Sequence, residues 1–200
     1  MAFNFSTRHL SSQQQNIIRI RKENDERLKH EGNTIQDNKT HKISIMMKLG
    51  SDIDIKVDGN QTMIIYKDFC DKNKYVWFST DSHSSGMGKE KMKEFMDAIK
   101  KGETVEMFFI IGKGCNGRND IEYRAQVIDI ESDAKGLSTP DVNLTPKEYI
   151  NEKKKIWIKI TNLQRFNELS VKDFIIASTK KDLKSAIESS QYHFGYIQRK

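Results

Sequence analysis

Two β-type runs, TVEMFFII (104–111) and IEYRAQVIDIE (121–131), are separated only by GKGCNGRND, and this pair constrains the fold more than any other stretch. The second run alternates apolar Ile121, Tyr123, Ala125 and Val127 with polar neighbours, the mark of a half-buried strand. The first is apolar almost throughout and reads as a strong strand. Such a hairpin needs more strands beside it and helices above it. Gly112, Gly114 and Gly117 in the connection have the G-x-G-x-x-G spacing of a dinucleotide site. That motif works only when a helix follows and carries the pyrophosphate at its N-terminus. Here a strand follows, so the glycines are read as supplying the positive φ of a hairpin loop, and nucleotide binding is rejected.

The remaining elements arrange themselves around this pair. ISIMM (43–47) and IDIKV (53–57) read as short strands, and Asp58-Gly59 before QTMIIYKDF reads as a hairpin turn into a central strand ending at Lys67. DFCDKNK is then a loop leading to YVWFST. KEKMKEFMDAIKKG (89–102) carries Met92, Phe95, Met96 and Ile99 at helical spacing and stops at Gly102. Residues 132–153 hold both prolines and read as a long loop, the kind that more often than not has a function. KIWIKITNL (155–163) and DFIIAS (173–178) are strands, and STKKDLKSAIESSQY is a helix capped by Ser178 or Thr179. The tail HFGYIQRK docks on the sheet. The class is α+β: a mixed, barrel-like sheet flanked by two or three helices. Residues 1–41 are a polar arm with a helix from about Ser11 to Gly32, and 42–200 are the domain.

The chain has 200 residues, 34 Lys+Arg against 28 Asp+Glu and a formal charge of +6, which suits a polyanionic partner or simply a basic soluble protein. Cys70 and Cys115 stand far apart and the five histidines lack ligand spacing, so neither a metal nor a cofactor is expected. No secretion signal or membrane-length apolar run occurs, and a cytoplasmic, non-membrane protein is expected. There is no P-loop and no G-x-S-x-G. Ser, His and Asp co-occur in STDSHSSG, but adjacency in one loop is not triad geometry, so the chain is not expected to be an enzyme.

One stretch joins an aromatic strand end to a polar loop: Tyr75–Gly88, YVWFSTDSHSSGMG. A reader of a methylated base must take the base out of its stack, enclose the methyl group between aromatic faces and hold the phosphates with basic residues. Trp77 beside a Ser/Thr/Asp loop suits that task, although a tryptophan on a strand is more commonly core.

The order VWFSTDS, helix, VEMFFIIGKGCNGRNDIEYRAQVIDI, long loop, KIWIKITNL resembles a YTH domain over roughly residues 62–197. Related EVE and PUA-like domains share that architecture and also occur at the front of McrB-type restriction subunits. The resemblance implies an aromatic cage with Trp77 as its first wall and Tyr149 and Leu144 as the others. It implies base-edge contacts at Phe78, through its carbonyl, and at Ser79, Lys67 and Asn73. Lys180 and Lys181 fall at its phosphate-binding turn, where the family's arginine is absent. Trp157 matches a structural strand tryptophan. The loop lacks the tryptophan found in many YTH readers, which leaves N6-methyladenine and a modified cytosine both open. The expected partner is therefore nucleic acid carrying a methylated base, with modified-DNA recognition in restriction as the leading role. Any motor or nuclease would then sit on another subunit. The alternatives are a reader of N6-methyladenosine in RNA and a protein-interaction scaffold that binds no base. An open pocket lined by Trp77 and Tyr149 is what the reader requires; a buried Trp77 indole contradicts it.

Overall fold

In this computed structural model residues 39–51, 56–189 and 192–200 are described. They belong to the unit Asn38–Lys200. The expected arm helix, and most of the expected IDIKV strand, lie outside the described residues. Seven strands form one mixed sheet: β1 (Ser44–Leu49), β2 (Tyr75–Thr80), β3 (Glu106–Ile111), β4 (Ile121–Leu137), β5 (Lys154–Arg165), β6 (Phe174–Ile176) and β7 (Phe194–Arg199). Their order is β2-β5-β4-β3-β1-β7-β6. Only the β1–β3 pair is parallel. With helices α1 (Gly59–Asn73), α2 (Lys89–Lys100) and α3 (Leu183–Ser189), the described residues make an α+β fold.

The apolar run at 106–111 explains itself once the layers are seen. Met107, Phe109 and Ile111 enter a core shared with α1 and α2, whereas Phe108 and Ile110 enter a second core under α3. All six residues of β3 are buried. Each large apolar side chain so enclosed contributes about 1.5–3 kcal/mol, so the central strand is the anchor of both layers. The C-terminal tail pairs as β7 between β1 and β6. No helix among the described residues is long and apolar enough to cross a membrane.

Three local expectations need correction. Asp58-Gly59 is not a hairpin turn: Asp58 is the N-cap of α1. Its Oδ1 accepts from Gln61 N at 2.8 Å, while Gln61 Oε1 accepts from Asp58 N at 2.9 Å. This capping box starts a helix whose buried positions, Gly59, Thr62, Met63, Tyr66 and Cys70, follow helical spacing. The run QTMIIYKDF is apolar on one helical face only, with Ile64 half exposed at 50 %.

The hairpin connection also works differently. Its left-handed positions are Asn116 (φ 58°) and Asn119 (φ 57°), not its glycines. Gly117 is needed for space instead, because a Cβ there would come within 2.2 Å of the Ile111 carbonyl oxygen. Finally, α3 begins at Leu183, with Asp182 Oδ1 accepting from Ser185 N at 3.2 Å, so neither Ser178 nor Thr179 is its cap.

Candidate functional site

The inner face of α1 and the C-terminal ends of β1 and β2 enclose a cavity of about 530 Å³. The sheet coils far enough to bring its first and fifth strands together: Thr80 Oγ1 on β2 lies 3.7 Å from Met47 Sδ on β1. The apolar wall is built by three rings. Tyr66 stacks on Tyr149 with centroids 4.7 Å apart and planes 22° from parallel, and Phe78 leans on Tyr66 at 4.9 Å. Phe78 is in turn held edge-on by Phe109 at 5.1 Å. Rings in mutual contact make one wall; a cage would need a slot wide enough for a base between two of them.

Polar groups ring the mouth. The Tyr66 hydroxyl lies 3.3 Å from Ser79 Oγ and accepts from Ser79 N at 3.4 Å. Burial first, and then Tyr149 beside it, pushes the Tyr66 phenol well above its usual range, so this hydroxyl stays neutral. Thr80 Oγ1 accepts from Ser82 N at 3.0 Å, which turns the chain out of β2 along the rim. Asp81 accepts from Lys155 N at 2.8 Å and lies 3.7 Å from Lys154 Nζ. Lys154 is also 3.4 Å from Glu152, so its charge is largely matched. On the β1 side, Lys48 Nζ donates to the Ile187 carbonyl at 3.2 Å, and His193 Nδ1 stands 3.4 Å from the Lys48 carbonyl oxygen. The three rings line the cavity but are themselves only 1–2 % exposed, so the chemistry it offers most openly is that of its polar rim.

Of the residues expected at a site, Phe78, Ser79 and Tyr149 are brought together here. Trp77 is not. β2 alternates, so Val76 and Phe78 join the α1 core while Trp77 points to the opposite face, in register with Lys159 and beside the Ser79–Trp157 pair. The turn Val142–Leu144 packs against β2, and Trp77 is left 2 % exposed. Its indole is no more buried than Tyr66, Phe78 and Tyr149, at 1–2 %, but unlike them it does not line the cavity, so the expected pairing of Trp77 with Tyr149 around one pocket is not brought together. Leu144 belongs to that turn and does not line the cavity. Trp157 is buried as expected, with Nε1 donating to the Leu137 carbonyl at 2.9 Å.

The other expected contacts disperse. Lys67 and Asn73 are on α1, not in a loop: Lys67 Nζ pairs with Asp71 at 2.6 Å and Asn73 Nδ2 donates to the Phe69 carbonyl at 2.9 Å. Lys180 donates to Gln198 Oε1 at 2.7 Å, in the turn after the edge strand β6. Lys181 follows in the same turn, and neither lines the cavity. In the Ser/His loop, Ser85 Oγ lies 3.3 Å from His83 Nδ1, while the nearby Asp81 carboxylate is engaged with Lys155.

Sequence reading missed Tyr66 and Thr62, which line the cavity from α1. The Asp58-x-x-Gln61 capping box was the signal that would have placed both on a helix facing β2.

No protein-family model matches the chain, and no curated protein does. Among solved structures, a chain of a complex of the YTH domain-containing protein mmi1 with RNA is similar at 15 % identity and a TM-score of 0.26, over 67 % of this chain and 62 % of that one. The chain thus spans less than two thirds of that neighbour's length, and no residue role is transferred from it.

Proposed function

We propose that the chain is a non-catalytic nucleic-acid-binding module that takes one unstacked base into the cavity between the ends of β1 and β2. The observation that carries this reading is the cavity itself: about 530 Å³, lined by the nearly buried rings Tyr66, Phe78 and Tyr149 and by a rim of hydroxyls and backbone groups. That volume suits a purine or pyrimidine with its sugar. An apolar wall favours a methylated base over its parent, because the added methyl group has no hydrogen bond to lose and gains burial. The formal charge of +6 favours a polyanionic strand. Recognition of modified DNA in restriction, with cleavage by a separate subunit, is the biological role proposed for this binding. Reading N6-methyladenosine in RNA is the alternative.

The test is fluorescence anisotropy with matched methylated and unmethylated DNA and RNA oligonucleotides, on the wild type and on Ser82→Trp. Ser82 is exposed at the cavity mouth, so an indole there blocks entry without touching the core. Tighter binding of a methylated strand that Ser82→Trp abolishes, with the thermal midpoint unchanged, is the expected result. Equal binding of all strands by both proteins would refute the reading and leave a protein-interaction scaffold.

A further inference from the structure

A second cavity, of about 570 Å³, lies away from the first, between the C-terminal end of α1 and strands β4 and β5. Its chemistry is the reverse of the base cavity's. Lys74 supplies an ammonium and Arg124 a guanidinium that lies 3.6 Å from Glu106 Oε1, while Gln126, Asn162 and Gln164 supply amides. Lys67 and Asp71, the one carboxylate in its lining, pair at 2.6 Å and offset each other's charge. Cations and amide donors around a shallow basin are the groups that phosphodiester oxygens take, and they offer little to an apolar ligand.

The backbone is shaped toward this basin at two places. Lys74 has φ 68° and Asn162 φ 52°, both left-handed, and both line it. Asn162 is the extra residue of a bulge: Gln126 pairs with Thr161 and Arg124 with Gln164, so β5 spends one more residue than β4 between them. A bulge of this kind re-aims a side chain at a cost in local strain. Here it sets the Asn162 amide beside Gln126, with Nδ2 donating to Oε1 at 3.1 Å. Lys74 is fixed through its carbonyl, which accepts from Thr161 Oγ1 at 2.8 Å. Next to it the Tyr75 ring carries two ammonium groups, Lys74 Nζ at 5.3 Å and Lys159 Nζ at 5.0 Å from its centroid. Cations around a half-buried aromatic ring are a common pairing on single-strand-binding surfaces.

Position completes the argument. β2 runs from Tyr75, at the basin, to Thr80, at the base cavity. Five residue steps of strand span about 17 Å, the length of about five stacked nucleotides. Resting on the base-binding reading above, we infer that the basin is a phosphate-backbone site for the same strand, several nucleotides from the captured base.

The test compares a 3-nucleotide and a 12-nucleotide single strand, each with its methylated base near one end, on the wild type, Lys67→Gln/Lys74→Gln and Ser82→Trp. In the wild type the longer strand binds more tightly and with the steeper salt dependence. The double variant lowers the slope of log K against log[salt] for the 12-mer by roughly 1–1.5 and leaves the 3-mer unchanged. A 12-mer bound by the double variant with wild-type affinity and slope overturns the backbone site. If Ser82→Trp still weakens that 12-mer, base capture survives alone. If the wild type binds neither strand, both readings fall.

Discussion

Trp77→Ala separates the buried indole seen here from the ligand-facing one that a cage requires. The residue is 2 % exposed on the face of β2 opposite the α1 core, and the turn at Val142–Leu144 packs against that strand. Truncating a fully buried tryptophan costs about 3–5 kcal/mol, from lost burial and from the cavity left behind. For a domain of this size each kcal/mol moves the thermal midpoint by about 2–4 °C, so a fall of roughly 6–20 °C is expected. Urea unfolding followed by circular dichroism measures the loss, and an unchanged m-value certifies that the folded state is still compact. Trp77→Phe keeps most of the volume and should lose much less. In a Trp157→Phe background, Trp77 becomes the sole indole, and its emission should be blue-shifted and resist quenching by acrylamide. A Trp77→Ala protein within about 0.5 kcal/mol of wild type, as for a surface change, would refute the burial argument. Nucleic-acid binding lost at that unchanged stability would restore Trp77 to a ligand-contacting role.

Asp58→Ala removes one half of the capping box and should cost about 0.5–2 kcal/mol, read in urea; no change would mean that α1 starts without it. Gly117→Ala drives a methyl group to within 2.2 Å of the Ile111 oxygen, so the β3–β4 connection must shift. The expected loss is about 1–3 kcal/mol, and Gly114→Ala, with open space around it, serves as the mild control. Acid should weaken the contact between His41 and α2. Burial alone would raise the Glu94 carboxyl, but Lys91 and His41 together hold it below its usual value, and a His41 hydrogen bond of 2.7 Å lowers Glu103 likewise. Depressed carboxylates stabilise the fold above their ordinary pKa of about 4.3 and lose that contribution as pH falls through the lower folded values. Glu94→Gln/Glu103→Gln should therefore flatten the loss of stability between about pH 5 and pH 3; an unchanged profile would refute it.

Much of the architecture was legible from local pattern. The alternation at 121–131, the apolar run at 104–111 and the Met/Phe stripe of α2 each specify an element whose type needs no distant partner to decide. The α1 region was equally local, since Asp58 and Gln61 announce a helix start three residues apart, but an Asp-Gly pair mimics a hairpin turn. The site was another matter. Alternation along YVWFST says that Trp77 and Phe78 face opposite ways; it does not say which side stays open. That was decided by tertiary packing: Phe78 meets Tyr66 of α1 and, through it, Tyr149, where the coiling sheet leaves a cavity, whereas Trp77 is 2 % exposed on the other face, in register with Lys159. A sequence therefore determines that a strand has two apolar faces, while only the folded chain determines which of them it fills, because α1 adjoins β2 in sequence but Tyr149 and the turn at Val142–Leu144 arrive from more than sixty positions away.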